Sequence, residues 1–299
     1  MTRAFGQILG FVLNRLIIVA VAIFMAMALL RFFENRFIFF PPRFPEGFPP
    51  ARVLPSGLEE IWITTEDGVR LNAWFLANPA RPTVLLWFHG NATNIGQQLD
   101  ELETYSHLGT NILAVDYRGY GKSEGSPDEA GVYRDAEAAY RYLVDQRRFA
   151  PASIIVYGHS LGGAVAVDLA TRRECGGLIV ESSFTNTGEM ARRMFHVPFI
   201  ERLPRSRFDS LAKIARVRAP ILVIHGTRDQ VVPFSMGQRL YAAAHEPKSF
   251  LSVEGGEHDS IFTSGGEKYW ERLQAFVNRQ PASPALSAAP AHNNQNEIR

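Results

Sequence analysis

Gly158-His159-Ser160-Leu161-Gly162-Gly163 is a G-x-S-x-G string placed where a strand-like run, Ser153–Tyr157, ends and a stretch of helical length, Leu161–Arg173, begins. A serine on so sharp a strand-to-helix turn needs small neighbours, because the tight backbone leaves no room for side chains at Gly158 or Gly162. The turn lifts the Ser160 hydroxyl above the sheet, and the new helix N-terminus aims backbone N–H groups at a developing oxyanion. A glycine-rich helix start with a merely capping serine is the plainer alternative. A serine nucleophile also needs a base, and the base an orienting acid, in the chain order Ser, Asp, His for this topology. Asp229 follows the run Ile221–Ile224 within HGTRDQVVP, and His258 follows Ser249–Val253 within EGGEHD, so both belong to the carboxyl edge that carries Ser160. His159 occupies the variable position of the turn and His225 reads as packing ahead of the acid loop. His107, His196, His245 and His292 follow no strand end of this kind.

His89-Gly90-Asn91 closes the run Thr83–Phe88, where acyl-transfer sheets place a second oxyanion donor. The backbone N–H of Asn91, with that of Leu161, is the expected pair, and a tight turn with a structural histidine is compatible with it. Asp116-Tyr117-Arg118-Gly119-Tyr120-Gly121-Lys122-Ser123 carries Gly and Lys but lacks the G-x-x-x-x-G-K-[ST] spacing of a phosphate loop. It reads as a scaffold loop.

The elements that must hold these residues alternate. A hairpin is expected at Ile61–Thr64 and Val69–Ala77 around Asp67-Gly68, followed by strands at Thr83–Phe88, Asn111–Asp116, Ser153–Tyr157, Gly177–Glu181, Ile221–Ile224 and Ser249–Val253. Helices are expected at Gly96–Leu108, Pro127–Gln146, Leu161–Arg173, Ser235–Ala244 and Gly265–Asn278. Such alternation implies an α/β fold, a mostly parallel central sheet with helices on both faces. An Arg-rich insert, residues 185–218, breaks the rhythm as a small cap over the carboxyl edge. Its Met190, Met194, Phe195, Val197, Phe199, Ile200 and Phe208 offer an apolar lining suited to an acyl chain. An ordinary amphipathic cap with a solvated Arg face is the plainer reading.

The 299 residues are 46% hydrophobic and 20% charged, enough to bury a sizeable core. Five Arg against two Glu put +3 on residues 1–50, which leaves −2 on the remainder of a chain with net charge +1. The main body therefore has no basic field for nucleic acid. A lone Cys175 excludes an intramolecular disulfide and a structural thiolate–metal site, and reads as a small packed residue.

Leu16–Leu30 is an unbroken apolar run between Arg15 and Arg31. At 1.5 Å per residue it covers only about 22 Å, and reaches a spanning length with Phe11–Leu13 and Phe32–Phe33 if the arginines snorkel to the headgroups. The Phe and Arg of Arg31–Phe44 resemble an interfacial aromatic belt. The expectation is a single-pass membrane anchor with its interfacial segment at 1–45, in contact with membrane lipid. A secreted protein after signal cleavage at Ala26-Met27-Ala28 is the alternative, and packing of these Phe on the domain is a third reading. Residues 46–56 read as a Pro-rich linker, 57–279 as the catalytic domain and 280–299 as a disordered tail.

HGNATNIG, DYRGYGKSEGSP, GHSLGGAVA, ESSF and GTRDQVVP together resemble the α/β-hydrolase superfamily over about residues 57–279. They are most similar to its membrane-anchored branch of monoacylglycerol-lipase-like and depalmitoylase-like serine hydrolases. That resemblance implies an ester or thioester hydrolase without metal or cofactor, with Ser160 as nucleophile, Asp229 as acid, His258 as base, and Asn91 and Leu161 as oxyanion donors. The palmitoylated cysteine-rich N-terminus of some members is absent, so the acyl-ester or thioester substrate is not narrowed to a lipidated protein. A serine peptidase of the same fold and a non-catalytic scaffold are the competing functions.

Overall fold

The computed structural model describes residues 10–11, 13–19, 21–22, 24–25, 29, 34–44, 57–195 and 199–279. Eight strands form one sheet in the order β1-β2-β4-β3-β5-β6-β7-β8. They are β1 (Leu58–Thr64), β2 (Arg70–Leu76), β3 (Val84–Phe88), β4 (Asn111–Val115), β5 (Ile154–His159), β6 (Gly177–Glu181), β7 (Ile221–Gly226) and β8 (Lys248–Val253). β2 is antiparallel to both its neighbours and the remaining pairs are parallel. The mostly parallel sheet is what the alternation of runs implies, and the strand order is the α/β-hydrolase arrangement that the resemblance of the motifs implies.

The central strands are apolar without a break because both of their faces are covered. Val84, Leu86 and Phe88 of β3 join one core with Val156 and Val180, beneath the helices Glu129–Arg141, Leu161–Arg172 and Phe234–Ala243. The alternate residues Leu85 and Trp87 face the second core with Tyr157 and Ile179, against the helices Leu99–Ser106 and Gly266–Val277. The β1–β2 hairpin turns at Asp67-Gly68, with Thr64 opposite Arg70 and Gly68 at φ +82°, a left-handed conformation that glycine adopts without strain. The stretch expected as one helix over Pro127–Gln146 is α-helical at Glu129–Arg141, capped by the Asp128 side chain accepting from Gly131 N–H. It ends in a π turn, Tyr142–Gln146. Cys175 is buried, which pushes its thiol up to about 12.

The expected N-terminal anchor is corrected. Among the described residues no helix is long and apolar enough to cross a membrane. The span required Phe32–Phe33 to lengthen a run that covers too little of the bilayer, and those two residues, like the Ala26-Met27-Ala28 cleavage pattern, lie outside the described residues. The aromatics read as a belt are in part internal to the protein. Phe39 is 2% exposed, edge-on to Phe208 at 5.9 Å, and Phe44 stacks on Trp74 at 6.1 Å. The linker 46–56 and the tail 280–299 lie outside the described residues.

The Asp116–Ser123 loop acts as scaffold through Arg118, whose guanidinium bonds Asp67 at 2.8 Å and Asp135 at 2.9 Å. Asp135 also accepts from the Arg118 N–H at 2.8 Å. Burial pushes the Asp135 carboxyl up to about 6 even against these bonds, so its charge depends on Arg118. Arg118→Met leaves that carboxylate buried and unpaired, and the expected cost is about 3–5 kcal/mol in unfolding free energy. Urea melts measure it. A loss near zero would show that the loop is held by packing alone.

Candidate active site

Because β5, β7 and β8 run parallel, the residues after them emerge on one edge of the sheet. Ser160 follows β5 at φ +53° and ψ −113°, a strained conformation for a residue with a side chain. The strain is sustained by close backbone approach on both sides. A Cβ on Gly158 would run into the carbonyl of Gly162, and one on Gly162 into the carbonyl of Phe88. Ser160 N–H donates to the Glu181 carbonyl at 2.9 Å, tying the turn to β6.

Asp229 and His258 meet Ser160 as their order implied. His258 Nδ1 lies 2.8 Å from Asp229 Oδ2, and His258 Nε2 lies 3.0 Å from Ser160 Oγ. The other carboxylate oxygen, Asp229 Oδ1, accepts from the N–H groups of Val231 at 2.9 Å and Val232 at 2.7 Å. Burial alone would raise this carboxyl. Hydrogen bonds from His225 and His258, with the Val232 N–H, outweigh it and hold Asp229 well below the usual carboxylate range. An ionised Asp229 requires the His258 proton on Nδ1, which leaves Nε2 as the acceptor facing the Ser160 hydroxyl. The acid and base loops are also tied together, with Thr227 N–H donating to Val253 O and Arg228 N–H to Gly256 O, both at 3.0 Å.

His89-Gly90-Asn91 arrives at the same place. A Cβ on Gly90 would lie 3.5 Å from Ser160 Cβ and 3.0 Å from His159 Nδ1, so the loop passes against the serine. It is braced from below: Tyr117 OH donates to the His89 carbonyl at 2.9 Å, and His89 Nε2 lies 3.3 Å from Asp116 Oδ1. Leu161 opens the helix on the other side.

Three participants were not legible in the motif. His225, read as packing, lies 3.4 Å from Asp229 Oδ2 through Nε2, which also lies 3.0 Å from the Val232 carbonyl. Its position four residues before Asp229, at a strand end, was the available signal. His159 Nε2 donates to the His258 carbonyl at 3.0 Å, with the two rings 5.0 Å apart. Glu181, in the ESSF string, is buried and accepts from Tyr157 OH at 2.9 Å and Tyr269 OH at 2.7 Å. A cavity of about 30 Å³, room for water, opens beside His258 between Gln98, Glu101, His159, Glu181 and Asp259. Burial pushes Glu181 up to about 7. It pushes Glu101 up to about 8, aided by the charges of Glu181 and Asp259. His159, His258 and Asp259 are the group among the described residues whose donor atoms approach within 4.8 Å of one another as a metal would need. Both ring nitrogens of His258 are already engaged by Asp229 and Ser160.

The insert after β6 holds a helix, Thr187–Phe195, and a 3₁₀ turn, Ile200–Arg202. Met194, Phe195 and Phe199 are exposed, while Val197 and His196 lie outside the described residues. Phe208 departs from the expectation. It is fully buried among Phe39, Tyr133 and Phe184 and belongs to the core, because the chain turns inward there at φ +41°.

Burial, followed by the neighbouring His258, holds the His159 imidazole down to about 4. As pH falls from about 6.5, an unfolded chain takes up a proton that the native His159 refuses until about pH 4, so stability declines over that window. His159→Gln is expected to lose less melting temperature between pH 7 and pH 5 than the wild type. Equal losses in thermal melts would mean that this imidazole titrates freely.

The sequence profile of the alpha/beta hydrolase family matches residues 84–213. The chain is 35% identical over 230 residues to alpha/beta hydrolase domain-containing protein 17B of Homo sapiens, covering 75% of this chain and 77% of the relative. It is 33% identical over 280 residues to alpha/beta hydrolase domain-containing protein WAV2 of Arabidopsis thaliana, covering 85% and 90%. Among solved structures, the Pyrococcus furiosus esterase Pf2001 superposes with a TM-score of 0.66 at 22% identity, over 81% of this chain and 99% of the other, a likeness of fold. With the sheet order, the strained serine turn and relatives 33% and 35% identical over most of their length, the chain belongs to the alpha/beta hydrolase family.

Proposed function

We propose that this chain is a serine hydrolase that cleaves carboxylic esters or thioesters through an acyl-enzyme. The reading rests on one observation above all, the Ser160 Oγ at 3.0 Å from a His258 nitrogen whose partner nitrogen is held by a buried, ionised Asp229. As Ser160 Oγ attacks the acyl carbonyl, His258 Nε2 takes its proton, and Asp229 stabilises the imidazolium that forms. The N–H groups of Leu161 and Asn91 receive the charge on the tetrahedral oxygen. His258 returns the proton to the departing alcohol or thiol. A water then repeats the sequence on the acyl-enzyme, with His258 again as base, and releases the acid.

The exposed apolar side chains Met194, Phe195 and Phe199 on the cap support an acyl lipid as the substrate class. A flexible thioether beside two aromatic rings suits an alkyl chain better than a charged peptide.

Labelling by a fluorophosphonate probe tests the chemistry: the wild type is expected to label and Ser160→Ala to be silent. Ser160→Ala and His258→Ala should each lower turnover by a factor on the order of 10⁶, with the double variant no worse, because nucleophile and base act as one unit. A double variant a further thousandfold slower would overturn the assignment. Asp229→Asn is expected to cost roughly 10⁴-fold by turning the wrong His258 tautomer towards Ser160.

A series of acyl esters and thioesters from short to long chains tests the substrate class. The expected kcat/KM rises with chain length, since each methylene buried against the cap contributes about 0.8 kcal/mol. A preference for the shortest chains would leave the serine chemistry standing and overturn the acyl-lipid reading.

A further inference from the structure

Residues 34–44 lie along the domain as a strap that joins two functional regions. At one end Glu34 Oε1 accepts from the N–H groups of Arg205 at 2.8 Å and Ser206 at 2.7 Å, both in the cap insert. In the middle Phe39 is buried against Phe208. At the far end the Pro42 carbonyl accepts from Gly121 N–H at 2.9 Å, and Arg43 Nη1 donates to the Ser123 carbonyl at 2.7 Å. Phe44 packs so closely on Gly96 that a Cβ there would collide with its ring.

Between these anchors the strap meets the side chain of Asn91. Asn91 Nδ2 donates to the Ile38 carbonyl at 2.7 Å. Asn91 Oδ1 accepts from three groups: Phe40 N–H at 3.1 Å, Ala92 N–H at 2.9 Å and Tyr120 OH at 2.7 Å. The amide is thus bonded to the strap through both its ends and to the Asp116–Ser123 loop through one. So complete a satisfaction exceeds what a turn needs. The next residue, Ala92, stands at φ +57°, a left-handed conformation costing about 1 kcal/mol or more that persists only where the surroundings over-determine it.

An oxyanion donor stabilises charge only if its N–H is aimed beforehand at the place where the oxygen will form, and an error of about 1 Å can cost about 10²-fold in rate. Leu161 has a helix behind it. Asn91 has a loop, and what immobilises that loop next to its N–H is its own side chain, clamped by the strap and Tyr120. We propose that the Asn91 side chain is a positioning residue for the reaction and that residues 34–44 form the other half of its clamp. The inference rests on the reading of Asn91 N–H as an oxyanion donor. It adds that the N-terminal segment of the same chain, 51 to 53 residues away in sequence at its contacts with Asn91, helps to fix that donor's aim.

The experiment compares Asn91→Ala, Tyr120→Phe and Phe39→Ala in the full chain, with active sites counted by fluorophosphonate titration so that loss of folded protein is separated from loss of rate. Asn91→Ala is expected to lower kcat per titrated site by about 10²-fold with KM within about twofold, because the ground-state carbonyl gains little from the aimed N–H. A trifluoromethyl ketone, which forms a tetrahedral adduct on the serine, should lose affinity by the same factor. Tyr120→Phe and Phe39→Ala should move the same two quantities in the same direction by smaller factors, and Phe39→Ala combined with Asn91→Ala should be no slower than Asn91→Ala alone. Unchanged kcat per titrated site in Asn91→Ala, or a ketone affinity that does not follow kcat, would overturn the positioning role. A wild type that fails to label at Ser160 would overturn the serine-hydrolase reading beneath it.

Discussion

The close approach of three backbone segments at Ser160 is the constraint on which the rest of the site depends. The carbonyls of Phe88 and Gly162 occupy the space that side chains at Gly162 and Gly158 would fill, so β3, β5 and the helix Leu161–Arg172 meet without a side chain between them. That contact forces Ser160 to φ +53°, sets the helix N-terminus beside its hydroxyl and brings the Gly90 loop against it. The cost of the strain is borne by the surrounding sheet, whose strands are buried on both faces.

Electrostatics then follow from burial on the edge that this contact creates. Asp229 is kept ionised by four hydrogen-bond partners of its own loop and neighbours: His258, His225, and the N–H groups of Val231 and Val232. Beside it, Glu181 and Glu101 are raised by the same burial: the tyrosine hydroxyls on Glu181 offset desolvation only in part, and the like charges of Glu181 and Asp259 add to it at Glu101. Carboxylates grouped around one imidazole, that of His258, therefore carry different charge at neutral pH for a local reason. The identity of the hydrogen-bond donor decides it.

The N-terminal aromatics illustrate how an identical composition serves two physical ends. Phe39 and Phe44 are what an interfacial belt would contain, and equally what a strap buried on a domain would contain, since both place an aromatic ring out of water. The choice is made by partners far along the chain. Phe208 closes over Phe39, and Gly96 leaves the gap that Phe44 fills. The insert after β6, the Gly90–Asn91 loop and the segment 34–44 consequently form one connected structure.

What the amino-acid sequence by itself determined is what neighbouring residues encode. Short unbroken apolar runs marked the central strands, Asp67-Gly68 marked the hairpin, and small residues at Gly158 and Gly162 marked the serine turn. The order Ser160, Asp229, His258 with each residue after a strand put them on one edge, because parallel strands share a carboxyl end. Only the tertiary structure decided that His225 leans on Asp229, that His159 holds the backbone of His258, that Phe208 is core rather than lining, and that the Asn91 amide is gripped by Ile38 and Phe40. Such contacts, like that of Glu34 with Ser206, join positions far apart in the chain. They depend on how finished elements pack, a property of their surfaces in three dimensions that no local spacing records.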